Sequence, residues 1–175
     1  CIILGMENEQ KNIRKERREW IISFAVAITI ALIIRIFVFE MVIVQQTSMY
    51  PTLKNDERVG LYKLAYTLSE PQRGDIAVIK ISEEKNYVKR IIALEGESVS
   101  IKDNKVFING EALEEDYLPE GLEYDDFDEI TVPAGQVFAM GDNRPGSIDS
   151  RILGCFQKSA LRGKVVIRFF PFKLF

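Results

Sequence analysis

From Glu7 to Glu19 the chain is polar and heavily charged, and there the charges stop. From residue 20 to 34 nothing is charged, and past Arg35 the apolar run resumes as Ile36, Phe37, Val38 and Phe39. A run of about 20 such residues is long enough to cross a bilayer as a helix. A buried core helix would show a regular polar stripe, and Ser23 and Thr29 are too few to make one. A cleaved secretory peptide needs small residues behind its apolar core, whereas Ala25-Val26-Ala27 lies inside the run. The pattern predicts an uncleaved signal-anchor helix over residues 20–39. Trp20 suits the interface, and Arg35 is near enough to the end to snorkel to the headgroups.

From Glu40 onward the pattern becomes strand-like. The β-branched runs 75–81, 87–92, 98–101, 105–108, 136–140 and 164–169 are separated by turn signals such as Arg73-Gly74-Asp75, Glu95-Gly96-Glu97 and Asn109-Gly110. Asp103-Asn104 between two such runs predicts a hairpin. One short helix is expected, over residues 61–68. Strands this frequent predict a mainly β domain of antiparallel pairing rather than βαβ units.

Charge then sets orientation. Lys11, Arg14, Lys15, Arg17 and Arg18 crowd one flank of the apolar run, while no basic residue follows it until Lys54. By the positive-inside rule residues 1–19 stay cytoplasmic, residues 20–39 span the membrane, and residues 40–175 are extracytoplasmic. Cys1 and Cys155 would then lie on opposite sides and could not pair. The five residues before Met6 look unlike a natural start, which makes Met6 a candidate initiator without deciding the point.

Composition narrows the chemistry. The 175 residues are 47% hydrophobic and 28% charged, with net charge -3, so a packed core is expected and a nucleic-acid partner is not. There is no histidine, which excludes a Ser-His-Asp triad, a Cys-His dyad and a His-ligated zinc. Two cysteines cannot build a four-cysteine metal site. The acidic stretch 111–129 lacks the spacing and central Gly of an EF-hand and is expected to be a solvated loop. No metal and no cofactor are expected.

Without histidine, a nucleophilic hydroxyl needs an amine or carboxylate as its base. A lysine can act only when neutral, so it must be buried among apolar neighbours. Most lysines lie in polar runs such as Glu83-Glu84-Lys85, but Lys89 lies between Tyr87-Val88 and Ile91-Ile92, although a snorkelling strand lysine would look the same. In a strand it shares a face with Tyr87 and Ile91, leaving Val88 and Arg90 on the other. Two places could supply the hydroxyl. Ser48 precedes a Pro-containing turn just behind the apolar run, a setting that also fits plain turn chemistry. The loop from Gly141 to Arg151 crowds two hydroxyls, two carboxylates and two guanidinium groups beside a strand.

Together these segments resemble bacterial type I signal peptidase, a membrane-anchored serine protease. Four boxes match in the family's order behind the anchor: Ser48-Met49-Tyr50-Pro51-Thr52-Leu53, Arg73-Gly74-Asp75-Ile76, Tyr87-Val88-Lys89-Arg90-Ile91-Ile92, and Gly141-Asp142-Asn143-Arg144 with Ser147, Asp149-Ser150-Arg151 and Gly154. The resemblance implies two antiparallel β-sheets, Ser48 as nucleophile and Lys89 as general base. It makes Ser147 the holder of the lysine amine, pairs Asp149 with Arg151 and Asp142 with Arg90, and lines shallow pockets with Val44, Met49, Leu53, Tyr87 and Val88. The reaction it implies is cleavage of preprotein signal peptides after Ala-x-Ala through an acyl-enzyme, at the lipid bilayer. Two positions depart from the pattern. Gln46 stands where the family has Gly or Ser, so its amide or the backbone must supply the second oxyanion donor, and Glu95 stands where the family has Pro. A short stretch between the base box and the last box implies a reduced subdomain there. A self-cleaving Ser–Lys regulator and a non-enzymatic tethered β-domain are the alternatives; a peptidase assay separates all three.

Overall fold

The computed structural model describes residues 2–175, apart from the side chains of residues 2–14, 33 and 36. The expectation about Cys1 therefore lies outside the described residues; Cys155 is a half-buried free thiol. Contacts divide the chain between Val38 and Phe39 into two compact units.

The first unit is the helix α1, Ile2–Phe37. Thr29 satisfies its hydroxyl within the helix, donating to the Ala25 carbonyl at 2.8 Å. Trp20, Phe24, Ile28 and Leu32 are all exposed. Among the described residues, no helix is long and apolar enough to cross a membrane. The helix also stops short of the expected end. Phe39 opens a strand instead, opposite Tyr62, their rings 5.4 Å apart.

The second unit is mainly β. Its strands are β1 (Phe39–Ile43), β2 (Arg58–Tyr62), β3 (Ile76–Lys80), β4 (Asn86–Ala93), β5 (Ser98–Lys102), β6 (Lys105–Ile108), β7 (Glu111–Ala112), β8 (Phe127–Thr131), β9 (Gln136–Met140), β10 (Phe156–Gln157), β11 (Leu161–Phe169) and β12 (Phe172–Leu174). Among the described residues they form two antiparallel sheets. The larger runs β1-β2-β11-β3-β4-β9-β10, with β12 also on β11, and the smaller runs β7-β6-β5-β8. The smaller sheet lies between the base box and the last box in sequence. Its β5–β6 turn holds Asp103 and Asn104 at φ 50 and 60, the left-handed pair a two-residue hairpin requires.

The central strands β3, β4 and β9 are buried on both faces, and the buried side chains make three apolar clusters. Val44, Met49, Leu53, Val59, Leu61, Ile76 and Val78 form the one that supports the site. Two expectations need correction. The helix predicted over residues 61–68 is confined to α2, Ala65–Leu68, because β2 takes Leu61 and Tyr62 into the sheet between β1 and β11. Gly60 makes that pairing possible: a Cβ there would stand 2.4 Å from Ile167 Cγ2. The acidic stretch is not merely a solvated loop. It contributes β7 and β8, and Leu113, Tyr124 and Phe127 pack on the core between its carboxylates.

Candidate active site

Two buried residues hold the turn that carries Ser48. Met49 and Leu53 drive into the core, and the Leu53 N–H donates to the Met49 carbonyl at 2.8 Å. Just before them the Val44 N–H donates to the Glu57 carbonyl at 2.9 Å. From the other side the Asn143 N–H donates to the Ser48 carbonyl at 3.0 Å, and Asn143 Nδ2 donates to the Thr47 carbonyl at 3.2 Å. Ser48 itself is buried. Among the described residues neither its hydroxyl nor its N–H makes a hydrogen bond. Both are free to meet a ligand.

Lys89 comes from the middle of β4, opposite Ala77 on β3. The flanking core side chains leave it only 1% exposed. Its Nζ stands 5.3 Å from the Tyr87 ring centroid, and Lys85 Nζ lies 5.0 Å from the same ring. Among the described residues the Lys89 amine has no ion pair and no hydrogen bond. Burial therefore prevails: it lowers the pKa from 10.5 to about 8, against the attraction of Asp149, with Arg151 adding repulsion and Asp142 attraction. Such an amine is partly neutral at ordinary pH.

Ser48 and Lys89 line one cleft of about 390 Å³ together with Gln46, Tyr87, Gly146 and Ile148. Ser48 also borders a groove of about 450 Å³, whose wall includes Val44, Met49 and Val88. Leu61, Val78 and Lys85 join that wall without any sequence signal. Leu53 is the exception among the expected pocket residues. It lines neither space, because the Met49–Leu53 turn points it into the core at 0% exposure.

The loop from Gly141 to Arg151 closes the site behind Ser48. Arg90 grips Asp142 with two donors, at 2.9 and 2.7 Å. Arg151 does the same to Asp149, at 2.9 and 2.8 Å. Burial opposes the Asp149 charge, but the Arg151 hydrogen bonds and charge outweigh it and hold that carboxyl below the usual range. Asp149 also accepts the Gly141 N–H at 3.0 Å, and the Ala139 N–H donates to Ser150 Oγ at 2.9 Å. A Cβ on Gly141 would lie 2.3 Å from Ser147 Oγ and 2.4 Å from the Ser48 carbonyl oxygen, so only glycine fits. Ser147 is buried beside Asp149, yet its Oγ makes no hydrogen bond of normal geometry. An unused buried hydroxyl is rare.

Glu115 and Tyr124 reach Arg144 in this loop, and Tyr117 reaches Arg90, without any local sequence signal. They come from the acidic stretch, and their approach depends on pairings far apart in the chain. Among the described residues no group of three or more His, Cys, Asp or Glu side chains could hold a metal ion.

Comparison with known proteins points one way. The family described as signal peptidase, peptidase S26, matches residues 17–170. The chain is similar to signal peptidase I of Bacillus licheniformis, 40% identical over 178 residues covering 95% of each. It is similar to signal peptidase IB of Staphylococcus aureus (strain Mu50), 34% identical over 179 residues covering 93% of this chain and 94% of that one. A crystal structure of a signal peptidase I from Enterococcus faecalis V583 is 34% identical, with a TM-score of 0.49, covering 55% of this chain and 97% of that one.

Proposed function

The chain belongs to the signal peptidase family, peptidase S26, and we propose that this serine peptidase cleaves preproteins through a Ser48–Lys89 dyad. The observation that carries the dyad is the cleft they share, in which the lysine is 1% exposed and has no counter-ion among the described residues. With its pKa lowered to about 8, roughly one amine in ten is neutral at pH 7, against fewer than about one in a thousand for an ordinary lysine. Neutral Lys89 takes the Ser48 proton as the hydroxyl attacks the scissile carbonyl, and returns it to the leaving amine. A water activated by the same amine then hydrolyses the acyl-enzyme. Ser147 Oγ, which has an acceptor to spare, holds the ammonium in place between these steps.

The unbonded Ser48 N–H supplies one oxyanion donor. Gln46 lines both the cleft and the groove beside Ser48, and its side-chain amide supplies the second. A substrate lies extended along the groove, its alternate side chains against Val44, Met49 and Val88. Spaces this shallow admit alanine-sized residues, which gives the Ala-x-Ala preference. The uncharged run over residues 20–34 behind five basic residues anchors the enzyme with its N-terminal flank cytoplasmic and residues 40–175 outside. Anchoring confines enzyme and substrate to one surface and raises their effective concentration.

The test is a cleavage assay on a preprotein carrying Ala-x-Ala before its cut. Ser48→Ala and Lys89→Ala should each lower kcat by at least about a thousandfold while unfolding stays cooperative. Lys89→Arg should fail equally, since a guanidinium keeps its proton. Parent-like activity in any of the three sinks the dyad.

A further inference from the structure

Arg144 is as buried as Lys89, at 1% exposure, and it stands in the 3-10 turn Arg144–Gly146 that leads into Ser147. Its side chain ties the loop to itself, with Nε donating to the Gly141 carbonyl at 3.1 Å. Its backbone ties the far end, where Arg151 Nη2 donates to the Arg144 carbonyl at 2.6 Å. One residue therefore joins both ends of the loop that backs Ser48.

What holds Arg144 comes from outside the loop. Glu115 takes both arms of its guanidinium, Nη1 at 3.0 Å and Nη2 closer still, and the Tyr124 hydroxyl accepts from Nη1 at 3.0 Å. The Tyr117 hydroxyl donates to the same Glu115 carboxylate. The Tyr117 ring lies 3.7 Å from the guanidinium carbon of Arg90, the residue that grips Asp142. The segment between β7 and β8 thus caps the two buried guanidinium groups on either side of Gly141-Asp142 in sequence. Burial opposes the Arg144 charge, and the Glu115 hydrogen bond and charge overcome it.

We propose that Glu115 is a positioning residue for catalysis, gripping Arg144 so that the loop holds Ser147 and the Ser48 backbone in place. This rests on the Ser48–Lys89 reading. The physical reason is the lack of slack at Gly141. The closeness of Ser147 Oγ and the Ser48 carbonyl around that residue leaves no room for the loop to drift while both stay put. Gly146 and Ile148 also wall the cleft that holds Lys89, so a loosened loop admits water to the amine. Hydration moves a buried lysine back toward its ordinary pKa. The charged and titratable groups around Lys89 are Asp149, Arg151 and Asp142 on the loop and Tyr87 and Lys85 on the strand side. Glu115 is not one of them. Its effect must pass through loop position.

Two variants of the full chain test this. Glu115→Gln keeps the shape and removes the charge. Glu115→Leu combined with Arg144→Met removes the pair without stranding a buried charge, which guards against simple misfolding. Both should lower kcat at least tenfold with KM within about twofold, and both should move the acid limb of the kcat profile to higher pH by half a unit or more. A folded variant of either kind with kcat within twofold of the parent and an unmoved limb overturns the proposal. So does a loss that vanishes once rates are divided by the folded fraction. Ser48→Ala run alongside separates the two ideas. If it retains activity the dyad is wrong, whereas its inactivity beside an unimpaired Glu115→Gln refutes the positioning role alone.

Discussion

Lys89 and Arg144 are both 1% exposed cations bordering one loop, and their surroundings differ in one respect. Arg144 has a carboxylate on both arms of its fork, a tyrosine hydroxyl and a backbone carbonyl. Lys89 has an aromatic ring at 5.3 Å and, among the described residues, no hydrogen-bond acceptor or ion-pair partner. Taking a charge out of water is costly unless a partner replaces the lost hydration. Arg144 therefore stays charged and serves as a fixed tie. Lys89 has no such replacement, and burial lowers its pKa to about 8, so it gives up its proton more readily than an ordinary lysine. Equal burial thus leaves one cation firmly charged and the other easily neutralised, the property the proposed dyad requires.

The contrast can be broken most visibly through stability. Lys89 has a folded pKa near 8 and an ordinary value of 10.5. Between these the unfolded chain binds more protons than the folded one, so stability should rise with pH across that window. The full rise is about 3 kcal/mol, at about 1.4 kcal/mol per unit, and the penalty is complete below pH 8. Lys89→Met should remove this slope in urea unfolding and make the protein more stable than its parent at pH 7. A slope that survives in Lys89→Met means the lysine is not the group responsible.

A smaller effect follows from giving Lys89 what Arg144 already has. Tyr87 shares its strand face, with its ring centroid 5.3 Å from the amine, so Tyr87→Glu brings a carboxylate near it. A neighbouring opposite charge raises a lysine pKa by about 1–3 units. The acid limb of the kcat/KM profile should move up by at least one unit, with activity about tenfold lower at pH 7 and recovering toward pH 10. An unmoved limb would show that the lysine's titration does not govern the rate. The smallest effect belongs to a cation paired in open solvent. Lys80 and Glu83 meet at 2.5 Å on the surface, and solvent screens such pairs. Lys80→Ala should leave both the unfolding midpoint and the pH profile unchanged; a displaced limb would mean that distant surface charge also tunes the site.

How much of this was legible beforehand varied with distance along the chain. The Asp103-Asn104 turn was readable because a hairpin needs two left-handed residues at adjacent positions. The strands around Lys89 were readable from local β-branched runs. Residues 61–68 misled, because Leu61 and Tyr62 have no local reason to be a strand until β1 and β11 flank them. The placement of Leu53 was not readable either, since its box gives its identity but not the direction in which the Met49–Leu53 turn aims it. Glu115 was invisible. Nothing in a run of carboxylates distinguishes the one that meets a buried guanidinium 29 positions away.

Residue identity settled the kinds of chemistry available: no imidazole, a strand lysine with apolar neighbours, a serine behind an uncharged run, and strands of readable period. Those are properties of residue identity and of spacing over a few positions. Which cations received a partner was settled by folding, which joins Arg90 to Asp142 across 52 positions and Arg144 to Glu115 across 29. Ionisation in a protein interior depends on what surrounds a group within a few ångströms, and here the chain must fold before those neighbours arrive.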